Sequence, residues 1–306
     1  MLLSWSSFAV LAQQDENIDE EKTVTQITSA TSEPEVTNTS NRKTNAVPPK
    51  PLTLQYNEDI KHYLPASKVT PLLAGTEEYI TLITENSSMN NKGVAILLPD
   101  WEQGATSPKA LNFLRQQLPE QGRTTISVQP SSKPSNYPSN AITVLQQQEE
   151  NKKIIDEYRR KLSVMMNAVI EKANEFPGII MIVAQGNHSA MLVELLNQDI
   201  NPPQITQPPN ALVLLSSYVL SSNVLLDETN TVFAKQLAKS EYPVLDLYLK
   251  HDNPVVISKA KQRLTLSKQE MKVYYRQRQL NNTAMGYYPE QELLTQINSR
   301  LKAIGR

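Results

Sequence analysis

The stretch Gly178-Ile-Ile-Met-Ile-Val-Ala-Gln-Gly-Asn-His-Ser-Ala190 passes from a run of apolar residues into a polar, glycine-centred corner within three positions. A short continuous apolar run opened by glycine reads as a strand buried on both faces, as in a parallel sheet. The residues after the corner, Asn187 to Asn197, read as a helix. A buried strand that feeds a helix through so short a turn is the unit from which open α/β sheets are built.

Outward from this corner the same alternation recurs. Glu78 to Thr84 alternates like a half-buried strand, Gly93 to Leu98 is another continuous apolar run, and Thr124 to Val128, Ala211 to Leu215 and Val244 to Leu249 follow suit. A final strand is expected over Met271 to Leu280. Between them lie helical patterns at Pro108 to Leu118, Gln146 to Glu175, Asn230 to Ser240, Pro254 to Leu266 and Pro289 to Ile304. The longest of these places Ile154, Tyr158, Leu162, Met165, Val169 and Ala173 on one face, with Glu149/Lys153 and Glu157/Lys161 as expected surface pairs. Strand and helix alternate about five times, which predicts an α/β fold: a mostly parallel, doubly wound sheet with helices on both faces. In such sheets ligands sit beyond the carboxyl ends of the strands.

The two ends of the 306-residue chain differ in character. Met1 to Ala12 is short and apolar and closes on Val10-Leu11-Ala12, which reads as a truncated signal peptide without its basic n-region. Export, to the periplasm or beyond, is the resulting expectation. Gln13 to Pro51 is dominated by Thr, Ser, Asn, Glu and Pro and reads as a disordered tether, since it lacks the apolar surface to offset its ordering entropy. The folded domain is expected over residues 52–306, a length suited to one α/β core.

Composition excludes several classes of function. Thirty Lys and Arg balance 31 Asp and Glu, so nothing favours nucleic acid or an acidic membrane. There is no cysteine for thiol chemistry or soft-metal ligation. The eight glycines form neither dinucleotide nor phosphate-loop fingerprints, and the three histidines (His62, His188, His251) lie far apart, so neither a cofactor nor a metal site is expected. The apolar start is shorter than a membrane span. What remains is a small ligand or a protein partner.

The corner itself carries the chemical question. In α/β-hydrolases a strand-to-helix turn of the pattern G-x-S-x-G exposes the nucleophilic serine. Here the five positions are Ala184-Gln185-Gly186-Asn187-His188, with glycine at the serine position. Glycine supplies no nucleophile. Its amide, with those of Asn187 and His188, could still hold an anion or a carbonyl oxygen; equally, glycine there could simply serve a positive φ and close packing. Ser189 is the nearby hydroxyl, but neighbours on a helix point about 100° apart, so it is poorly placed to use His188. Asp252, after the strand ending at Leu249, stands where a catalytic acid belongs, although Asp252-Asn253-Pro254 also reads as a helix cap. His251 is next to it. The loop Asn281 to Tyr288, where a triad histidine is expected, has none. Pro99-Asp100-Trp101-Glu102 matches the loop that lends a second oxyanion donor, and Trp101, Tyr287 and Tyr288 are candidate cleft lining.

Together, Pro99-Asp100-Trp101, the Ala184 to His188 corner, Pro243-Val-Leu-Asp246, and Tyr275-Arg276-Gln277 with Leu280 resemble an exported gammaproteobacterial family of unknown function, distantly related to α/β-hydrolases. The resemblance covers roughly Leu54 to Ile304 and implies a fold without an established activity. The combined expectation is an α/β-hydrolase-like domain that binds a ligand or partner at a degenerate active-site face. The alternative is an esterase-type hydrolase with displaced catalytic residues drawn from Ser189, His188, His251 and Asp252.

Overall fold

The computed structural model describes residues 50–197, 204–220 and 227–305. The expected signal peptide, and the expected tether up to residue 49, lie outside the described residues.

The first described helix, α1 (Leu52–Tyr63), is followed by two antiparallel strands, β1 (Val69–Ala74) and β2 (Glu77–Thr84). Then come β3 (Gly93–Leu98), α2 (Ala110–Gln117), β4 (Arg123–Gln129), α3 (Val144–Ala173), β5 (Ile179–Gln185), α4 (Gly186–Leu195) and β6 (Ala211–Leu215). The chain closes with α5 (Asp227–Lys239), β7 (Val244–Leu249), α6 (Pro254–Gln269), β8 (Tyr275–Leu280) and α7 (Glu290–Ala303). One eight-stranded sheet has the order β1-β2-β4-β3-β5-β6-β7-β8, antiparallel at β1, β2 and β4 and parallel from β4 through β8.

Two strand-level differences from the sequence reading have simple causes. The β1 strand was not anticipated because Pro71 interrupts Val-Thr-Pro-Leu-Leu-Ala; it lies at the sheet edge, where proline costs no central ladder bond. The β8 strand starts at Tyr275 rather than Met271, because α6 continues to Gln269 and the chain then turns through Met271 at φ 50°. The α1 helix was also unanticipated. It is mostly polar and buries only Ile60, against Ile80, Leu82 and Ala105.

Alternation along the central strands divides the core in two. Val94, Ile96 and Leu98 face α3, α4 and α5 together with Ile182 and Leu214. Ala95, Leu97, Met181 and Val183 face α2 and α7. This two-sided burial explains why the strands read as continuous apolar runs.

The motifs near β7 and β8 converge on a buried polar cluster. The Asp246 carboxylate accepts from Arg263 Nε at 2.7 Å, from the Tyr275 hydroxyl at 2.7 Å and from Gln277 Nε2 at 2.8 Å. Arg263, fully buried, also donates to Ser217 O at 3.2 Å and lies 5.9 Å from the centre of the Phe233 ring. A buried charge is tolerated only when paired and fully hydrogen-bonded, and this cluster meets that condition while tying β6, β7, β8 and α6 together.

Candidate functional site

The corner between β5 and α4 places Gly186 at φ 59°, in the left-handed region where a side chain is strained. Space is a second constraint, for the Asp100 side chain packs directly against its Cα. Asp100 follows β3, the strand beside β5, so adjacent strand ends deliver the two residues to the same point. Its Oδ1 accepts the Trp101 N–H at 2.9 Å and the Asn187 N–H at 3.0 Å. These are the amides that the β3 loop and the residue after the corner would aim at an oxyanion in a hydrolase. Here the protein's own carboxylate takes both.

The arrangement also caps α4. Gln185 at the N-cap position makes no side-chain capping bond, and Asp100 supplies a negative oxygen to the first turn from another strand. Burial pushes the Asp100 carboxyl up to about 6, with the Trp101 and Asn187 amide bonds pulling the other way.

His188 is fully buried. Its Nδ1 is bonded to Pro99 O, while Nε2 lies 2.7 Å from the Tyr158 hydroxyl, which itself lies 2.6 Å from Ser131 O. Burial depresses the imidazole to about 4, so the ring is neutral at physiological pH. Nδ1–H then faces Pro99 O, and one phenolic proton serves Nε2 and Ser131 O. Tyr158 stacks on the ring at 9° with centroids 5.8 Å apart. His188 is thus a tie between α4, α3 and the β3 loop.

The other sequence candidates do not assemble around the corner. Ser189 is fully buried and its Oγ has no hydrogen-bond partner among the described residues. His251 is exposed, and its backbone rather than its ring bonds Asn282. Asp252 accepts from Leu249 N, Asn253 N and Ser216 Oγ, the last at 2.6 Å, while Asn253 caps α6 through Val255 N. Ser216, at φ 48° directly after β6, also lies 2.6 Å from the Tyr288 hydroxyl. The acid position is therefore satisfied by a serine and two amides, with no imidazole. Gln185 is buried beside the corner, and its Oε1 has no partner among the described residues.

Next to the corner opens a cavity of about 750 Å³ between α3 and α5, with α4 as its floor. Asn187, Ala190, Met191 and Glu194 line it, at the i, i+3, i+4, i+7 positions of one helix face. Trp101 lines the cavity, as the sequence reading expected, and is at the same time buried in the core. Tyr287 and Tyr288 do not join it: the former is exposed and the latter is buried in the opposite core. Arg159 on α3, which sequence reasoning did not single out as a site residue, bonds Glu194 at 2.8 Å in the cavity wall. Its position next to Tyr158, on the apolar face, was the available signal. Lys161 likewise pairs with Glu77 on β2, at 2.8 Å, and not with Glu157.

Among the described residues no group of three or more His, Cys, Asp and Glu could hold a metal, and no helix is long and apolar enough to cross a membrane. A family model described as "Protein of unknown function (DUF3530)" matches residues 1–299. A comparison with curated proteins finds no match. Among solved structures, the chain is similar to Est1E from Butyrivibrio proteoclasticus, with TM-score 0.54 and 10% identity over 78% of this chain and 100% of that one. It is also similar to a putative dienelactone hydrolase from Klebsiella pneumoniae, with TM-score 0.51 and 11% identity over 76% and 95% of the two chains. These likenesses identify the fold.

Proposed function

This chain belongs to the DUF3530 family of proteins of unknown function, with a distant relationship to α/β-hydrolases, and we propose that it binds a small ligand at the former active-site face without hydrolysing it. The observation that carries this reading is the Asp100 carboxylate on the Trp101 and Asn187 amides, beside a glycine where the nucleophile would stand. Acyl transfer in this fold needs a nucleophile, a base and free oxyanion donors, and each is engaged elsewhere or replaced. The neighbouring cavity is of the size and mixed lining that small-molecule sites share. The apolar start, Met1 to Ala12, supports placing this activity outside the cytoplasm.

The test is a panel of aryl and alkyl esters together with a serine-reactive fluorophosphonate. Product release no faster than a buffer blank, and no labelling of the folded protein, are expected. Labelling at any serine, Ser216 and Ser189 included, or ester turnover that Asp252→Asn abolishes, would overturn the reading.

A further inference from the structure

We infer that the cavity between α3 and α5 takes an uncharged amphiphile: an apolar chain or ring lying along α4, with a carbonyl or ester oxygen that accepts the side-chain proton of Asn187. This rests on the proposed non-hydrolytic binding and names its ligand class. Three observations lead there.

The first is unpaired hydrogen-bonding capacity. Asn187 is 1% exposed and lines the cavity, and its Nδ2, although near the Asp100 carboxyl and the Tyr218 hydroxyl, makes no hydrogen bond of ordinary geometry among the described residues. The other polar atoms of this residue are engaged, with Oδ1 accepting from Leu220 N at 2.6 Å and the backbone N–H donating to Asp100. Arg159 Nε, in the cavity wall, is a second buried donor with no partner among the described residues. Buried donors without acceptors are costly, and a ligand acceptor removes the cost.

The second is charge. The ionised side chains around the cavity are Lys152 and Arg159 against Glu194 and Glu228, and Arg159 is already bound to Glu194. The lining is therefore balanced. The Asp100 carboxylate stands on the backbone amide of the same Asn187. A carboxylate head would meet this like charge, whereas a neutral carbonyl would not.

The third is length. Asn187 and Glu194 are seven residues apart on α4, roughly 10 Å at 1.5 Å per residue. Between these polar ends the walls are Ile155, Met191, Val232 and Phe233, which suit an apolar body.

The full chain carries two tryptophans, so a Trp5→Phe variant leaves Trp101, which lines the cavity, as the sole indole reporter. Methyl octanoate and sodium octanoate would be titrated separately at pH 8, excited at the indole band. A saturable change in Trp101 emission with the ester, at least tenfold weaker binding of octanoate, and loss of the ester response in Val232→Tyr support the proposal. Val232 is half exposed, so this substitution fills the cavity from its rim without entering the core. Asn187→Asp keeps the acceptor for Leu220 N and removes the donor; it is expected to weaken ester binding at least fivefold. Octanoate binding as tightly as the ester, an ester response unchanged in Val232→Tyr, or no saturable response to the ester overturns the proposal. Release of octanoic acid from the ester in the same samples would instead overturn the non-hydrolytic reading on which it rests.

Discussion

The carboxylate of Asp100 stands in the space that a side chain on residue 186 would need: a Cβ on Gly186 would fall 2.2 Å from Asp100 Oδ2 and 2.4 Å from its Cγ. Glycine at the corner and aspartate after β3 are therefore one structural device, and neither residue can change alone without consequence.

Placing a serine at position 186 should accordingly destabilise the protein. Gly186→Ser combines left-handed strain with overlap on Asp100 and is expected to cost about 2–4 kcal/mol. Urea unfolding of Gly186→Ser, Asp100→Gly and the double variant checks this, with the double variant expected to lose less than the two single losses combined. Strictly additive losses would mean that the two side chains do not compete for the same space.

The Asp100 carboxyl gives a pH signature. Its native value of about 6 lies above that of an unfolded aspartate, so the native state binds the proton more tightly. Stability from this group is full below pH 4 and lost as pH rises through 6. Asp100→Asn retains an oxygen for both amides and removes the buried charge. It is expected to exceed the wild type in stability by on the order of 1–3 kcal/mol at pH 8, and by much less at pH 4. A wild-type to variant difference that is the same at both pH values would contradict this.

His188 acts in the opposite sense. Its native value of about 4 is below that of an unfolded histidine, so its contribution is present above pH 6.5 and lost as pH falls through 4. His188→Gln is expected to be less stable at pH 7, where the ties to Tyr158 and Pro99 are weakened. It should also show a shallower loss than the wild type between pH 6.5 and 4. Thermal midpoints across that range measure both.

The Asp246 cluster predicts an asymmetric response. Asp246→Ala leaves Arg263 charged, buried and without its carboxylate, and is expected to cost about 3–5 kcal/mol. Replacing the pair together, Asp246→Leu with Arg263→Met, should cost clearly less. Denaturant midpoints for the two variants decide it, and equal losses would show that the pair itself is not the stabilising unit.

Much of the scaffold was legible because its signals are local. Continuous apolar runs at 93–98, 179–184 and 211–215 can be stable only where both faces of a strand are covered, and they became the centre of the sheet, with 244–249 beside them carrying Asp246 as its one charged residue. The outer elements were harder. Pro71 masks β1, and α1 has too narrow an apolar face to announce itself.

The site divides along the same line. Glycine at position 186, the absence of histidine from 281–288 and the strand-to-helix corner are properties of single segments, so the sequence alone determined that glycine stands at this corner of a hydrolase-like scaffold. What packs against that corner depended on strand order. Asp100 and Asn187 are 87 residues apart and meet because β3 and β5 are neighbours in the sheet. Asp252 finds Ser216 across the ends of β6 and β7, and Arg159 turns inward because Glu194 lies beneath it on α4. Periodicity reports which face of an element is buried; only the packing of elements decides which polar atom that face delivers to an unpaired amide.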